Sequence, residues 1–282
     1  MKAMFVFTPA ESKRLIAKGV VQMPEVQEAL EKAYVCVVGG TTNGFVAQEL
    51  AGLDIAPEAY TAGTSTSRVL CVTPADARDP NIPLVLHKGK VVDKTLPEVF
   101  DDFHLETVVI KGANAVDPEG NVGVITSGFD GGTVAATIGY MSSTGMQYIF
   151  PVGLEKLIPS VPEAARWTGS KTFDYSMGAQ FGMYSLSNGI VITEIQALEV
   201  LADVDAMHVA SGGIGGSEGA VVLAAEGTEE QVKRAIEVVE SIKGEPPVSS
   251  LKGVCETCLY DKCAYVGKKE EELPEWLQAK AS

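Results

Sequence analysis

Residues 34–52, YVCVVGGTTNGFVAQELAG, contain the transition that decides the fold. The first five residues are apolar throughout, which is typical of a strand buried on both faces of a parallel sheet. Gly39 and Gly40 end this strand, and the run that follows has the pattern of a helix closed by Gly52. We therefore expect a strand–loop–helix unit with the loop GGTT at the carboxyl end of the strand.

The same alternation of strands and helices continues to about residue 170. Strand-like runs are RVLCVTP (68–74), ETVVIKG (106–112) and MQYIFPVG (146–153), and helix-like runs lie between them. Strands that alternate with helices imply right-handed crossovers. The pattern predicts an α/β fold with a doubly wound, mostly parallel sheet.

The character of the chain changes near residue 170. Strand-like runs GIVITEIQ, DAMHVAS and GAVVLAA precede the amphipathic helix pattern TEEQVKRAIEVVESIKG. The glycine-rich run 212–219 lies between two of these strands, which favours a hairpin loop over a second anion-binding loop. We predict three segments: an α/β domain at 1–171, a small α+β, ferredoxin-like subdomain at 172–247, and a linker with a cysteine motif and an acidic tail at 248–282.

Composition excludes several classes of partner. The chain has 37 acidic and 22 basic side chains, a formal net charge of -15, so its field repels nucleic acid and anionic lipid. It has no signal-peptide pattern and no apolar run near the roughly 20 residues that span a bilayer. We expect a cytoplasmic protein with no nucleic-acid or membrane partner. Glycine-rich edges of the small subdomain make a homo-oligomer plausible.

The loop GGTT has the composition of an anion-binding site. A strand that ends in glycines and leads into a helix exposes backbone N–H groups without intrahelical partners, and the helix dipole adds positive potential. A capped turn without a ligand is the alternative. Polar or glycine-rich loops, at residues 61–68 and 111–123, follow other strands, and several at one sheet edge favour a pocket. The predicted ligand-binding residues are Gly39, Gly40, Thr41, Thr42, Thr64, Thr66, Asn114, Gly131 and Gly132.

Two stretches carry a resemblance to a known superfamily. Strand–GGTT–helix followed by KGANAVDPEGNVGVITSGFDGGTVAA (111–136) resembles the NagB/RpiA/CoA-transferase superfamily. VGLEKLIP (152–159) is similar to a segment of its LUD, or lactate-utilisation, branch. The resemblance covers about residues 34–162. It implies a domain that binds, and in the enzymes turns over, a small anionic metabolite such as a sugar phosphate, an organic acid or a CoA derivative.

The same resemblance implies candidate catalytic residues. Lys111 and Asn114 stand where the isomerase motif has aspartates, and an amide cannot act as a general base. Asp117 is available for acid–base chemistry, with a cap of the Asp-Pro-Glu-Gly turn as the alternative. Glu155 is the nearest candidate for the nucleophile of a CoA-transferase, and a surface or fold-stabilising contact is its alternative. Lys111, Asp117 and Glu155 are thus the candidates, and the sequence leaves open whether the protein is an enzyme.

Three cysteines near the C-terminus form C-x2-C-x4-C: Cys255, Cys258 and Cys263. Thiolates at this spacing suit zinc or an iron–sulfur cluster, and a redox-active or disulfide-forming tail is the alternative. Cys36 and Cys71 lie in apolar patterns typical of buried small residues. The fourth ligand stays open among His208, Cys71, Cys36, another subunit or none. Together with the resemblance to the lactate-utilisation branch, this motif implies the second functional hypothesis: a metal- or iron–sulfur-bearing accessory protein of an oxidoreductase system related to lactate utilisation.

Overall fold

The computed structural model describes residues 1–128 and 130–278, which form a mixed α/β fold. The strands in chain order are β1 (Lys2–Phe7), β2 (Tyr34–Val37), β3 (Gly63–Thr66), β4 (Val69–Val72), β5 (Leu84–His87), β6 (Lys90–Val91), β7 (Val108–Ile110), β8 (Ala115–Val116), β9 (Val122–Thr126), β10 (Gln147–Pro151), β11 (Gly182–Leu186), β12 (Ile190–Ile192), β13 (Asp205–Ser211) and β14 (Val221–Glu226). The α-helices are α1 (Pro9–Gln22), α2 (Pro24–Lys32), α3 (Thr41–Ala51), α4 (Gly132–Thr144), α5 (Val161–Arg166), α6 (Glu194–Ala202) and α7 (Glu229–Ile242). Across the described ranges, no helix has both the length and the apolar character needed to cross a bilayer.

The central sheet is mixed, with the strand order β12-β10-β7-β2-β5-β6. β12, β10, β7 and β2 are parallel, whereas β5 runs antiparallel to β2, and β6 runs antiparallel to β5. The two-residue turn between β5 and β6 permits only antiparallel pairing. The predicted α/β class is confirmed, and the sheet combines a parallel half with an antiparallel edge.

The strand in the opening stretch is buried on both faces, as its unbroken apolar run predicts. Val35 and Val37 point into a core that includes residues of α1, α3 and α6. Cys36 and Val38 point into a second core on the other face, which includes residues of α4. Successive side chains of a strand alternate between faces, so one short strand contributes to both cores.

Strands from both sides of residue 171 pair with one another. β1 pairs with β14 in the antiparallel sheet β1-β14-β13, and β11 pairs with β9 in a third sheet. β12 adds to the edge of the central sheet beside β10. Segments 1–171 and 172–247 therefore share three sheets, and their division into separate domains stays a prediction.

Two local predictions differ from the structure. Residues 61–68 were expected to be a loop, but they contain β3, which pairs with β4 in a hairpin outside the central sheet. GIVITEIQ (189–196) was expected to be one strand, but β12 ends at Ile192 and α6 begins at Glu194. The cause is a capping box, in which Thr193 and Gln196 bond each other's backbone N–H groups.

Helices α1 and α6 approach closely at a glycine. A Cβ built on Gly19 of α1 would lie 2.8 Å from both Cα and Cβ of Ala197 in α6. By contrast, a Cβ on Gly139 of α4 would meet no atom within 4 Å. The contact between α1 and α6 therefore leaves no room for a side chain at Gly19, whereas α4 has open space at Gly139.

We predict that Gly19→Ala destabilises the protein by about 1–3 kcal/mol, because the helices must separate. Gly139→Ala should stabilise it by up to about 1 kcal/mol, because alanine has the higher helix propensity and finds open space. Urea unfolding of both variants and the unmodified chain measures the difference. Stabilisation by both substitutions would show that α1 and α6 do not pack this closely.

Candidate functional site

Three neighbouring parallel strands end at one edge of the central sheet. β2, β7 and β10 run in the same direction, and their register aligns Val37 with Ile110 and Ile110 with Ile149. Ligands of α/β proteins bind at the carboxyl ends of parallel strands. The segments that follow these three ends are residues 39–42, Lys111 with Gly112, and the 3₁₀ turn Leu154–Lys156.

The loop GGTT leads into α3 without a side-chain cap. The N–H of Gly40 donates to the carbonyl of Tyr60 at 2.7 Å, which ties the loop to the segment before β3. A Cβ on Gly39 or Gly40 would meet its nearest atom at 3.5 or 3.6 Å, an ordinary contact, and the backbone of Gly40 is extended. Neither packing nor conformation requires glycine here, so a methyl group would fit at either position without a clash.

Asn43, in the first turn of α3, connects the loop to the neighbouring strand. Its side chain is fully buried, and its Nδ2 donates to the carbonyls of Val38 at 2.6 Å and Ile110 at 3.0 Å. Its Oδ1 has no hydrogen-bond partner among the described residues. Asn43 therefore holds the ends of β2 and β7 together at the candidate site.

Lys111 and Lys156 form a pair of cationic side chains beside the loop. The Nζ of Lys111 makes long hydrogen bonds to the carbonyls of Gly39 at 3.3 Å and Gly112 at 3.4 Å, and that of Lys156 donates to Ala113 at 3.1 Å. Burial and then repulsion from Lys156 lower the pKa of Lys111 to about 8. Neither lysine has a carboxylate at ion-pair distance in the described part of the chain.

Charged groups of opposite sign lie behind this pair. The Oε1 of Glu155 forms an ion pair with the Nζ of Lys13 at 2.7 Å, and both side chains are largely buried. Burial and then repulsion from Lys13 lower the pKa of Lys156 to about 8, although Glu155 and Glu194 oppose the shift. The carboxylate of Glu155 is thus already engaged by Lys13, which favours its fold-stabilising alternative.

Glu194, the first residue of α6, is fully buried against the same turn. Its Oε2 accepts the N–H of Leu154 at 2.9 Å. Ser12 lies close enough to lower the carboxyl pKa in part, but neither its hydroxyl nor Oε1 of Glu194 completes a hydrogen bond. Burial dominates and raises the pKa of Glu194. Burial thus disfavours the charged form of Glu194, the second carboxyl group whose charge raises the pKa of Lys156.

Comparison of the chain with protein-family models, with curated proteins and with solved structures gives no match. The features that distinguish the site are those of its own residues, above all the lysine pair and the uncapped helix. Two surface concavities, of about 500 and 260 Å³, lie elsewhere, against the exposed side of α7 and beside Glu25 and Glu106. Glutamates predominate in their linings, which does not suit an anion.

The side chains of Asp117 and Asn114 both accept hydrogen bonds within the hairpin β8–β9. Both oxygens of the buried Asp117 accept hydrogen bonds, from Asn121 and from the N–H of Val161. These bonds outweigh burial and lower the pKa of Asp117. The exposed Asn114 accepts the N–H of Ile125 at 3.1 Å. For Asp117, the contacts favour the turn-capping alternative over acid–base chemistry.

The remaining predicted ligands lie on other elements. Thr64 and Thr66 are in β3, and Thr66 is buried with a hydroxyl that has no partner in the described ranges. Gly131 and Gly132 precede and begin α4, and both have positive φ, 77° and 64°. A Cβ on Gly131 would also lie 2.2 Å from the Tyr184 hydroxyl oxygen. Glycine is therefore required there by the fold itself, and ligand binding by these four residues stays a prediction.

The cysteines separate into two environments. Cys36 is fully buried in β2, and burial raises the pKa of its thiol to about 12. Cys71, Cys255, Cys258 and Cys263 are half-buried and form no disulfide. Residues 1–128 and 130–278 contain no group of three or more His, Cys, Asp or Glu side chains arranged to hold a metal ion. The candidate ligand His208 lies on β13 and bonds Ser211.

The structure adds residues that the sequence patterns did not single out: Asn43, Lys13, Lys156 and Glu194. Asn43 stands in the quoted loop, and Lys156 in the quoted GLEK. An asparagine directly after a strand-ending GGTT, and a lysine that follows a neighbouring strand, were the available signals. Lys13 and Glu194 carried no such signal, because their helices reach the site only through tertiary packing.

We predict that Lys111→Gln raises the stability of the ligand-free protein at pH 7. At pH 7 Lys111 is charged in both the folded and the unfolded protein, but the fold disfavours its charge. Removing the charge should therefore raise the free energy of unfolding by at most about 3 kcal/mol. Between the folded pKa of about 8 and the ordinary value of 10.5, the unfolded chain binds more protons. The penalty therefore disappears as pH rises through this window.

Thermal unfolding of the unmodified chain and the variant at pH 7 and pH 9.5 measures this difference. The advantage of Lys111→Gln should shrink at the higher pH. Lys90→Gln, at an exposed position in β6, is the matched control and should show no pH-dependent advantage. An equal advantage at both pH values would mean that Lys111 is not held in a charge-disfavouring site.

Proposed function

We propose that the protein binds a small anionic metabolite, such as a sugar phosphate, an organic acid or a CoA derivative, at the carboxyl ends of β2, β7 and β10. The observation that carries the proposal is the lysine pair. Lys111 and Lys156 lie close enough to repel each other, and within the described residues neither has a carboxylate at ion-pair distance. A bound anion supplies the missing negative charge.

The surroundings of the pair favour an anion in two further ways. The N-terminus of α3 adds positive potential and backbone N–H groups at the same edge. Gly39 and Gly40 leave room for a ligand to approach that backbone. The chain as a whole carries a charge of -15, so this local arrangement acts against the field of the molecule. The ligand is therefore recognised at short range.

The resemblance to the NagB/RpiA/CoA-transferase superfamily agrees with this ligand class. The doubly wound topology and the ferredoxin-like subdomain that we expect are finer parts of the same proposal. For turnover, Lys111 is the best-placed group to transfer a proton, since its pKa of about 8 lies near neutral pH. Asp117 and Glu155 are engaged by their structural contacts.

The test is thermal unfolding of the full chain with inorganic phosphate, ribose 5-phosphate, lactate or acetyl-CoA. A ligand at 100 times its Kd adds about 2.7 kcal/mol of stability. At about 2–4 °C per kcal/mol for a chain of this size class, the midpoint should rise by several degrees. The rise should be smaller at pH 9 than at pH 7, because the lysines lose their charge as pH passes 8.

Gly40→Ala is the most informative variant, because it should fold normally and yet leave less room for a ligand at the N-terminus of α3. We expect it, and Lys111→Gln, to lose most of the ligand-induced rise, whereas Lys90→Gln keeps it. An anion that stabilises all four proteins equally binds elsewhere. If none of the four anions stabilises the unmodified chain, the proposed ligand class is wrong.

A further inference from the structure

The cysteine segment, residues 253–267, packs against the hairpin β3–β4. The N–H of Gly253 donates to the Sγ of Cys71 in β4 at 3.1 Å. Cys71, Cys255 and Cys263 pack against one small buried cluster. Its members are Val69, Tyr265, Leu273 and Leu277. The fold therefore brings a fourth cysteine, distant in sequence, next to the C-x2-C-x4-C motif.

A short connecting segment fixes the motif beside this hairpin. Leu70 pairs with Gly178, and Ser176 pairs with Cys263, in two isolated β-bridges. The N–H of Ala264 also donates to the carbonyl of Ser176 at 3.0 Å. Backbone bonds thus attach both Cys263 and Leu70, the neighbour of Cys71, to the same short segment, residues 176–178.

Backbone hydrogen bonds keep the motif itself compact. The N–H of Cys258 donates to the carbonyl of Cys255 at 3.2 Å, and the N–H of Gly267 donates to the same carbonyl at 2.8 Å. Two thiolates at this spacing can chelate one metal ion, and a cation stabilises thiolates that lie together.

One of these sulfur atoms already accepts a backbone hydrogen bond, since the N–H of Gly253 donates to the Sγ of Cys71. N–H groups directed at sulfur are the usual outer shell of metal-bound thiolates.

We propose that Cys71, Cys255, Cys258 and Cys263 form a four-thiolate metal centre that holds a zinc ion or an iron–sulfur cluster. Four thiolates satisfy tetrahedral zinc and an iron–sulfur cluster alike. As folded, the four thiols are neighbours without being in ligating geometry. The cysteine segment consists of turns and a single bridge, and metal binding requires these turns to bring the motif cysteines onto Cys71. Each thiol that coordinates releases its proton to solvent.

The test uses the full chain, purified anaerobically with a reductant and treated with a chelator. One arm receives Zn²⁺ alone, and the other receives ferrous iron with sulfide. Native alkylation with N-ethylmaleimide, located by mass spectrometry, then reports each thiol. We expect metal to slow alkylation of Cys71 by at least about tenfold, together with the three motif cysteines. Cys36, buried in β2, should stay unreactive throughout.

The two arms also identify the metal. Stoichiometric iron and sulfide with visible absorption assign a cluster, whereas stoichiometric zinc without cluster assembly assigns zinc. Protection of the three motif cysteines with Cys71 unchanged would replace the proposed centre with a three-thiolate site. Absence of protection in both arms would overturn the metal centre altogether.

Cys71→Ser provides an independent measurement. Its Zn²⁺ or cluster affinity should fall by more than the roughly 10–100-fold that loss of an outer-shell partner causes. Cys36→Ala is the matched control and should keep the affinity of the unmodified chain. Circular dichroism verifies that both variants fold, and the alkylation pattern of the unmodified chain decides the question if Cys71→Ser does not. Full metal affinity in a folded Cys71→Ser would contradict the proposal.

Discussion

The buried amide of Asn43 is the contact on which the candidate site depends. Its Nδ2 bonds the last carbonyls of two adjacent parallel strands, at Val38 and Ile110. These bonds set the position of the loop at residues 39–42 relative to Lys111, the next residue after Ile110. A buried amide left without such partners would be costly, so the bonds also fix the first turn of α3 in register with the sheet. The Nζ of Lys111 reaches the carbonyl of Gly39, at the N-terminus of α3, because this register is held.

Local patterns predicted the elements around this contact better than their pairing. The unbroken run YVCVV correctly indicated a doubly buried strand, because a parallel strand has no solvent-facing side. The pattern of β1 could not indicate its partner, since an alternating strand fits any sheet with one exposed face, and β14 lies more than 200 residues away. The helix α6 was missed because GIVITEIQ is apolar enough for a strand, and only the Thr193–Gln196 capping box ends it.

The charged residues of the candidate site were also predicted only in part. The sequence indicated the glycine loop because it directly follows a strand of the parallel half, and it indicated Lys111 through the superfamily resemblance. It could not show that Lys156 repels Lys111 while Glu155 pairs with Lys13, because these relations arise only when three strand ends and α1 meet. Likewise, Cys71 had the apolar neighbours of a core residue. Its place beside the cysteine segment depends on a hairpin that leaves the central sheet.

Residues 60–72, which contain the hairpin β3–β4, form backbone contacts with both proposed sites. The carbonyl of Tyr60, just before the hairpin, accepts the N–H of Gly40, and Cys71 within it accepts the N–H of Gly253. A two-stranded hairpin is marginally stable alone, so its position depends on what packs against it. A metal that joins Cys71 to the cysteine segment would hold the hairpin more firmly, and with it the carbonyl that orients the glycine loop. Any such coupling is reciprocal, so an anion that orders the loop would favour metal binding by the same free energy.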